Sequence, residues 1–341
     1  MPSCAVAPAA RLPVALAVSA VLSGIGCTGA SRAIGFGIGP QAPPPVHAPP
    51  ARRVEVDRLL QDMQALSAPG MEGRLTGSAG SRRAQALILE RFRRLGLRPP
   101  GTSYEQTFPV RLSGGPPDRD DSDATNLLGL IPGTVEPQRF VLVSAHYDHL
   151  GVRGGRTYHG ADDNASGVAA LLEIASWFAR HPPRDSILFA AFDAEEHGLR
   201  GAKHFVANPP IDLRRVTAVV NLDMIGRGDD NTVIVAGTFH NPWLEPVVVE
   251  AARGRDLKVV FGHDRPAGDA SGTADWTQSS DHGPFHDAGV PFLYFGVKDH
   301  ADYHRPTDIA GRIPARFFVE VTEVVLETVR SLAGGAPVPH P

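Results

Sequence analysis

The chain has 341 residues, 42% of them hydrophobic, with 33 basic and 37 acidic side chains. That length supports one large domain with a substantial core, or two modest ones. A formal net charge of −4 excludes nucleic-acid or anionic-membrane binding through bulk charge, and cysteines only at positions 4 and 27 exclude a disulfide or a cysteine-ligated metal in the body of the chain.

In chain order, the first segment reads as an export signal. Arg11 precedes an apolar stretch, Leu12 to Ile25, with small residues after it. The stretch is too short for a transmembrane helix and has the flanks of a signal peptide. It ends in SGIGC, which makes Cys27 a candidate lipid-modified residue of a lipoprotein, although Gly24 stands where a Leu-like residue ordinarily precedes the cysteine by three. Ordinary cleavage nearby is the alternative. Residues 1–27 are thus expected to be a signal peptide that directs an exported protein to the cell envelope or the medium. Residues 28–53, rich in Gly, Pro and Ala, are expected to be a flexible linker, and 335–341 a flexible tail. Between them lies a single domain, 54–334, with no internal repeat.

The domain alternates helical and strand patterns. Ala84, Leu87, Ile88, Phe92 and Leu95 recur at helical spacing over 82–96, and Gly96 supplies a stop. Short apolar runs at 139–146, 186–192, 216–223, 232–237 and 291–296 read as strands, as does ATNLLGLIPG; 168–181 and 316–334 read as helices. Near-continuous apolar strands alternating with helices predict an α/β fold with a mostly parallel central sheet flanked by helices on both faces. In such sheets ligands bind beyond the carboxyl ends of the strands.

The polar residues gather there. HYDHLG ends the first of these runs with His146 and Asp148. GADDNASG, at 160–167, opens the 168–181 helix and offers Asp163. FDAEEHG follows its strand with Glu195 and Glu196, NLDMIGR supplies Asp223, and DYHRPTD offers Tyr303 and His304. Singly, each has a plain structural reading: Asp162 or Asp163 as a helix cap, Asp223 as a turn residue, the Glu195–Glu196 pair as a solvated helix start. Together, five carboxylates and two histidines converge on one sheet edge with almost no basic partner. Like charges that close raise one another's pKa, so the cluster is costly unless a cation joins it. Imidazole and carboxylate donors suit Zn²⁺, with Mn²⁺ or Co²⁺ as substitutes.

These motifs, with SDHGPF and the segment MEGRLTGSAGSRRA from Met71, occur in the order found in the M28 zinc aminopeptidases, and the resemblance covers residues 55–332. It implies a zinc-peptidase (phosphorylase/hydrolase-like) fold and a metallo-exopeptidase, an aminopeptidase acting on peptides with a free N-terminus. It implies two zinc ions per chain holding a bridging hydroxide. His146 and Asp223 resemble ligands of one ion, Glu196 and His304 of the other, and Asp163 the carboxylate shared by both. Glu195 resembles the general base, and Asp148 a residue orienting His146. Tyr303 is placed by the resemblance to donate to a developing oxyanion. Asp281 is either a turn residue or one that shapes the site, and His149, His159, His197, His282 and His300 are read as surrounding or surface residues. The alternatives are a same-fold enzyme of other specificity, a glutaminyl cyclase or carboxypeptidase, or an inactive binding module. The chain is expected to meet a membrane only through a lipid at Cys27.

Overall fold

In the computed structural model, residues 51–111, 122–266 and 273–335 are described. They belong to one compact unit, 47–341. The signal peptide, Cys27, most of the linker and nearly all of the tail lie outside the described residues. No described helix is long and apolar enough to cross a membrane.

Among the described residues ten strands form: β1 Glu105–Val110, β2 Ser122–Ile131, β3 Glu136–His146, β4 Val152–Arg153, β5 Arg156–Thr157, β6 Asp185–Phe192, β7 Val216–Leu222, β8 Thr232–Ala236, β9 Lys258–Phe261 and β10 Phe292–Gly296. The helices are α1 Val56–Leu66, α2 Ala79–Arg94, α3 Gly167–Arg180, α4 Arg200–Ala207, α5 Glu245–Ala252, α6 Gly283–Asp287 and α7 Ala315–Ala333. Eight strands make one sheet in the order β1-β2-β6-β3-β7-β10-β8-β9, and β4 and β5 pair as a small separate hairpin. The central four, β6-β3-β7-β10, are mutually parallel. Toward the edges the sheet is mixed, since β2 runs antiparallel to β6 and to β1, and β8 antiparallel to β10.

Both faces of the sheet are covered, which is why its strands read as unbroken apolar runs. Along β6, Ile187, Phe189 and Ala191 join the larger core with α1, α2, α3 and α7 residues. Their neighbours Leu188, Ala190 and Phe192 point the other way, toward Phe205 of α4 and Phe285 of α6. The chain leaves β3 through α3 to reach β6 on one side of it, then returns through α4 to β7 on the other. That makes β3 the point where strand order reverses, and a crevice opens beyond its carboxyl end. His146 is the last residue of β3.

Candidate metal centre

Three adjacent parallel strands deliver the site. β3 ends at His146 and leads into Asp148 and His149; β6 leads into Glu195 and Glu196; β7 leads into Asp223. The loop after β10 brings Tyr303 and His304. Asp302 pins that loop, accepting from Arg227, Arg312 and Thr307. Three non-glycine residues at the site, Ala194, Met224 and His304, hold left-handed backbone angles, with φ of 57, 58 and 52°. Such strain persists where surrounding structure over-determines it, and it concentrates at functional sites.

The turn 160–166 explains how Asp163 is spared a structural duty. The amide opening α3, that of Gly167, is capped by Asn164 Oδ1 at 2.9 Å, and neither Asp162 nor Asp163 caps the helix. Asp162 turns away and accepts from Gly226 N at 2.7 Å and from the His300 ring at 3.0 Å. Asp308 accepts the backbone N–H groups of Asp162 and Asp163. The Asp163 carboxylate is left facing the crevice.

There it meets both histidines. Its Oδ1 lies 3.4 Å from His146 Nε2, and its Oδ2 lies 3.1 Å from His304 Nε2. His146 Nε2 is also 3.2 Å from Asp223 Oδ1, and His304 Nε2 is 3.2 Å from Glu196 Oε2. Donors bound to one tetrahedral zinc at about 2.0–2.1 Å stand about 3.3–3.4 Å apart. All four separations fit that spacing, so the residues present fit two zinc ions sharing Asp163. The donor set, imidazole nitrogen with carboxylate oxygen and no thiolate, fits as well.

Asp148 holds the frame rather than an ion. Its Oδ1 accepts the amide of Glu195 at 3.0 Å and its Oδ2 that of Glu196 at 3.4 Å. His146 Nδ1 faces the backbone carbonyl of Asp148 at 3.2 Å, with the carboxylate at 3.6 Å. The carbonyl thus contributes most to orienting the ring. Tyr303 stacks on His304, ring centroids 3.9 Å apart, and lines the crevice.

The cluster's electrostatics follow from burial and pairing. Burial pushes the Glu195 carboxyl well above the ordinary carboxylate range, against the pull of His146. Burial acts the same way on Glu196, but hydrogen bonds from His149 and His304 outweigh it and hold Glu196 far below. His304 is driven up to about 10, its burial outweighed by Asp163 and Glu196. His146 is also raised, with Asp223 and Glu195 overcoming its burial.

The crevice encloses about 350 Å³. Asp163, Glu195, Asp223 and Asp299 supply its acids, and Met224, Trp276, Tyr294 and Val297 its apolar wall. No Lys or Arg side chain lines it among the described residues.

Sequence reasoning left two functional neighbours unassigned. His149 is buried and donates to Glu196 at 2.7 Å. Arg74, of the MEGR segment, is also fully buried, and its guanidinium donates to the carbonyls of Leu66, Tyr147, His159, Gly160 and Asp163. A signal for His149 existed in the sequence, since HYDHLG holds a second histidine; no local signal marks the partners of Arg74.

Comparison with known proteins bears on the family and on the fold. Residues 126–329 match the description Peptidase family M28. Over 215 residues the chain is 30% identical to Aminopeptidase YwaD of Bacillus subtilis, covering 60% of this chain and 44% of that protein. The chain spans half or less of the length of the curated relatives it matches. Its fold resembles that of the Porphyromonas gingivalis glutaminyl cyclase, with a TM-score of 0.68 at 21% identity over 82% of this chain and 99% of that one. It also resembles BSAP, a zinc aminopeptidase from Bacillus subtilis, with a TM-score of 0.65 at 18% identity over 84% of this chain and 98% of that one. At those identities the likeness is one of fold.

Proposed function

This chain belongs to peptidase family M28, and on that premise we propose that it is a dizinc aminopeptidase removing N-terminal residues from peptides. The observation that carries the reading is Asp163, which offers one carboxylate oxygen to the His146 side and the other to the His304 side at ligand spacing. His146 and Asp223 would hold one ion, Glu196 and His304 the other, with Asp163 between them. Bound zinc supplies Lewis acidity, lowering the pKa of a coordinated water toward about 7 and polarising a carbonyl.

The chain's own residues do the rest. Glu195 lines the crevice and its carboxylate receives no hydrogen bond from the chain among the described residues, so it is free to move protons. It takes one proton from the attacking water and delivers it to the departing amine. The acids of the crevice favour a substrate's α-ammonium. Among the described residues no Lys or Arg lines the crevice, which disfavours a substrate α-carboxylate and so a carboxypeptidase. Tyr303 lines the same crevice, and we include it in the proposal as a donor to a developing oxyanion.

The test is hydrolysis of aminoacyl-p-nitroanilides with free and acetylated amines, alongside zinc content by mass spectrometry. Cleavage of free-amine substrates only, with two zinc ions per chain, is expected. A folded, zinc-loaded protein that leaves every free-amine substrate intact would end this reading. Glutaminyl cyclisation is the second reading, supported by the fold likeness to the P. gingivalis enzyme. It predicts turnover of N-terminal glutamine peptides with a single ion bound. We also retain export as part of the proposal, read from residues 1–27, which cell fractionation with and without that segment would test.

A further inference from the structure

His149 stands three residues after His146, in the loop that leaves β3, fully buried, with its Nδ1 2.7 Å from Glu196 Oε1. Two roles compete for such a ring: a further metal donor, or a hydrogen-bond donor to a carboxylate that itself binds metal. Distance separates them. Donors on one zinc stand about 3.3–3.4 Å apart, as His304 does from Glu196 Oε2 and Asp163 Oδ2, at 3.2 and 3.1 Å. His149, Asp163 and Glu196 stand close enough to share an ion, with Asp163 Oδ2 3.6 Å from His149 Nδ1, but the 2.7 Å separation from Glu196 Oε1 is shorter than two donors on one zinc keep and matches an N–H···O bond to a charged acceptor. The ring cannot easily turn to do otherwise. It packs against Gly160, whose missing Cβ would lie 2.6 Å from its Cδ2, and the His149 backbone N–H reaches Arg74 O at 3.4 Å.

We propose that His149 is the positioning residue of the second metal site, donating from Nδ1 to Glu196 Oε1 so that Oε2 is turned toward His304 and Asp163. The assignment rests on the two-ion reading above. It also explains how adjacent glutamates come to do different work. One loop grips the 195–196 segment at three points: Asp148 accepts both amides, and His149 fixes one carboxylate. Glu196 is locked, while Glu195 has no such donor and stays available for proton transfer.

Hydrogen-bond partners of metal-binding carboxylates typically contribute 10–100-fold to metal affinity. The experiment is zinc competition against a chromophoric chelator, using zinc alone, on wild-type protein and on His149→Leu and His149→Asn. The Asn side chain presents an N–H near the Nδ1 position, and Leu presents none. We expect His149→Leu to bind one ion about 10–100-fold more weakly with the other unchanged, and His149→Asn to remain within about threefold of wild type. Should Leu fail to fold by circular dichroism, His149→Gln replaces it, since its amide nitrogen falls near Nε2 and leaves Glu196 Oε1 without a donor; it should weaken the same ion. Unchanged affinity for both ions in the donorless variant would overturn the assignment. So would equal loss in Asn and in the donorless variant, which would make a ring nitrogen itself the ligand. Failure of the two-ion reading would appear instead in the wild type, as a single ion bound.

Discussion

Replacing Arg74 by Met tests whether the acid cluster depends on a built-in cation. The guanidinium is fully buried, yet it is hydrogen-bonded to no carboxylate; its N–H groups go to five backbone carbonyls at 2.7 to 3.5 Å. Those carbonyls belong to the end of α1, to Tyr147 just after β3 and to the segment 159–163 that carries Asp163. Arg74 therefore ties these segments together, and its charge acts on the acids Asp163, Asp308, Asp148 and Glu196. Burial lowers its pKa to about 10, with Asp163, Asp308, Asp148 and Glu196 working to raise it, so it remains charged at neutral pH. The backbone is shaped for this purpose, since Glu72, Gly73 and Arg74 all hold left-handed angles, with φ of 50, 63 and 50°. Removing one member of a buried charged network costs roughly 3–5 kcal/mol, consistent with about 1–3 kcal/mol for each buried carbonyl left unpaired, offset by the desolvation cost no longer incurred. Against a total stability of about 5–15 kcal/mol, Arg74→Met should lose about 3–5 kcal/mol in urea unfolding of the chelated protein. Zinc supplies the missing positive charge, so the loss should be smaller in the loaded protein. Arg74→Lys keeps the charge but has only three donors for five carbonyls; it should lose less than Met and narrow the gap between chelated and loaded protein. A loss below about 1 kcal/mol for Met in the chelated protein, set against that expectation, or equal losses for Lys and Met, would refute the reasoning.

Glu195→Gln should lower kcat by about 10²–10⁴ while zinc content stays unchanged; activity close to wild type would remove Glu195 from proton transfer. In the metal-free protein His304, raised to about 10, and His146, also raised, hold protons at pH 7. Zinc must displace them, so calorimetry in buffers of different ionisation enthalpy should show proton release and affinity rising with pH; buffer-independent heats would contradict this. The same shifts make the protonated histidines stabilise the metal-free fold below about pH 6.5, a contribution lost as pH rises through the folded pKa values. Asp281 is fully buried with both carboxylate oxygens unpartnered, and burial pushes it up to about 8 despite the pull of His146. A carboxyl raised in this way contributes stability below its unfolded pKa of about 3.9 and loses it as pH climbs toward its folded pKa. Asn carries no ionisable proton, so Asp281→Asn should gain on wild type by a few kcal/mol, about 1.4 per pKa unit at most, between pH 4 and 8 in chelated protein. A difference independent of pH would show that Asp281 does not titrate in this way.

Much of the fold was legible because burial on both faces leaves a simple mark. The runs at 139–146, 186–192, 216–223, 232–237 and 291–296 each fall within a residue or a few of a strand, and the 168–181 and 316–334 helices match α3 and α7. The strand-end position of His146, Glu195, Glu196 and Asp223 followed directly. The direction of a strand leaves no such mark. Nothing local distinguishes β8, which runs against β10, from the parallel strands beside it, so the apolar runs predict the mostly parallel sheet without marking its antiparallel pairings. Edge strand β1, with Pro109 inside it and alternating exposed residues, carries too weak an apolar signal to be read at all. The same limit hides Arg74, whose carbonyl partners at Tyr147 and Asp163 lie more than seventy residues away in sequence.

His149 lies on the border between the two cases. It belongs to the same short motif as His146, but the identity of its partner depends on where β6 ends beside β3. Parallel pairing brings His146 level with Phe192. The loops that continue from those two residues therefore run side by side, which places Asp148 and His149 against Glu195 and Glu196. A shift of one residue in that register would exchange which carboxylate faces His149. On the roles proposed above, which glutamate binds an ion and which moves protons is set by the register of two buried strands, several residues before either glutamate. Core substitutions that loosen β3 against β6, such as Val143→Ala, should for that reason weaken zinc binding as well as stability. A Val143→Ala protein that loses stability but binds both ions with wild-type affinity would separate the two.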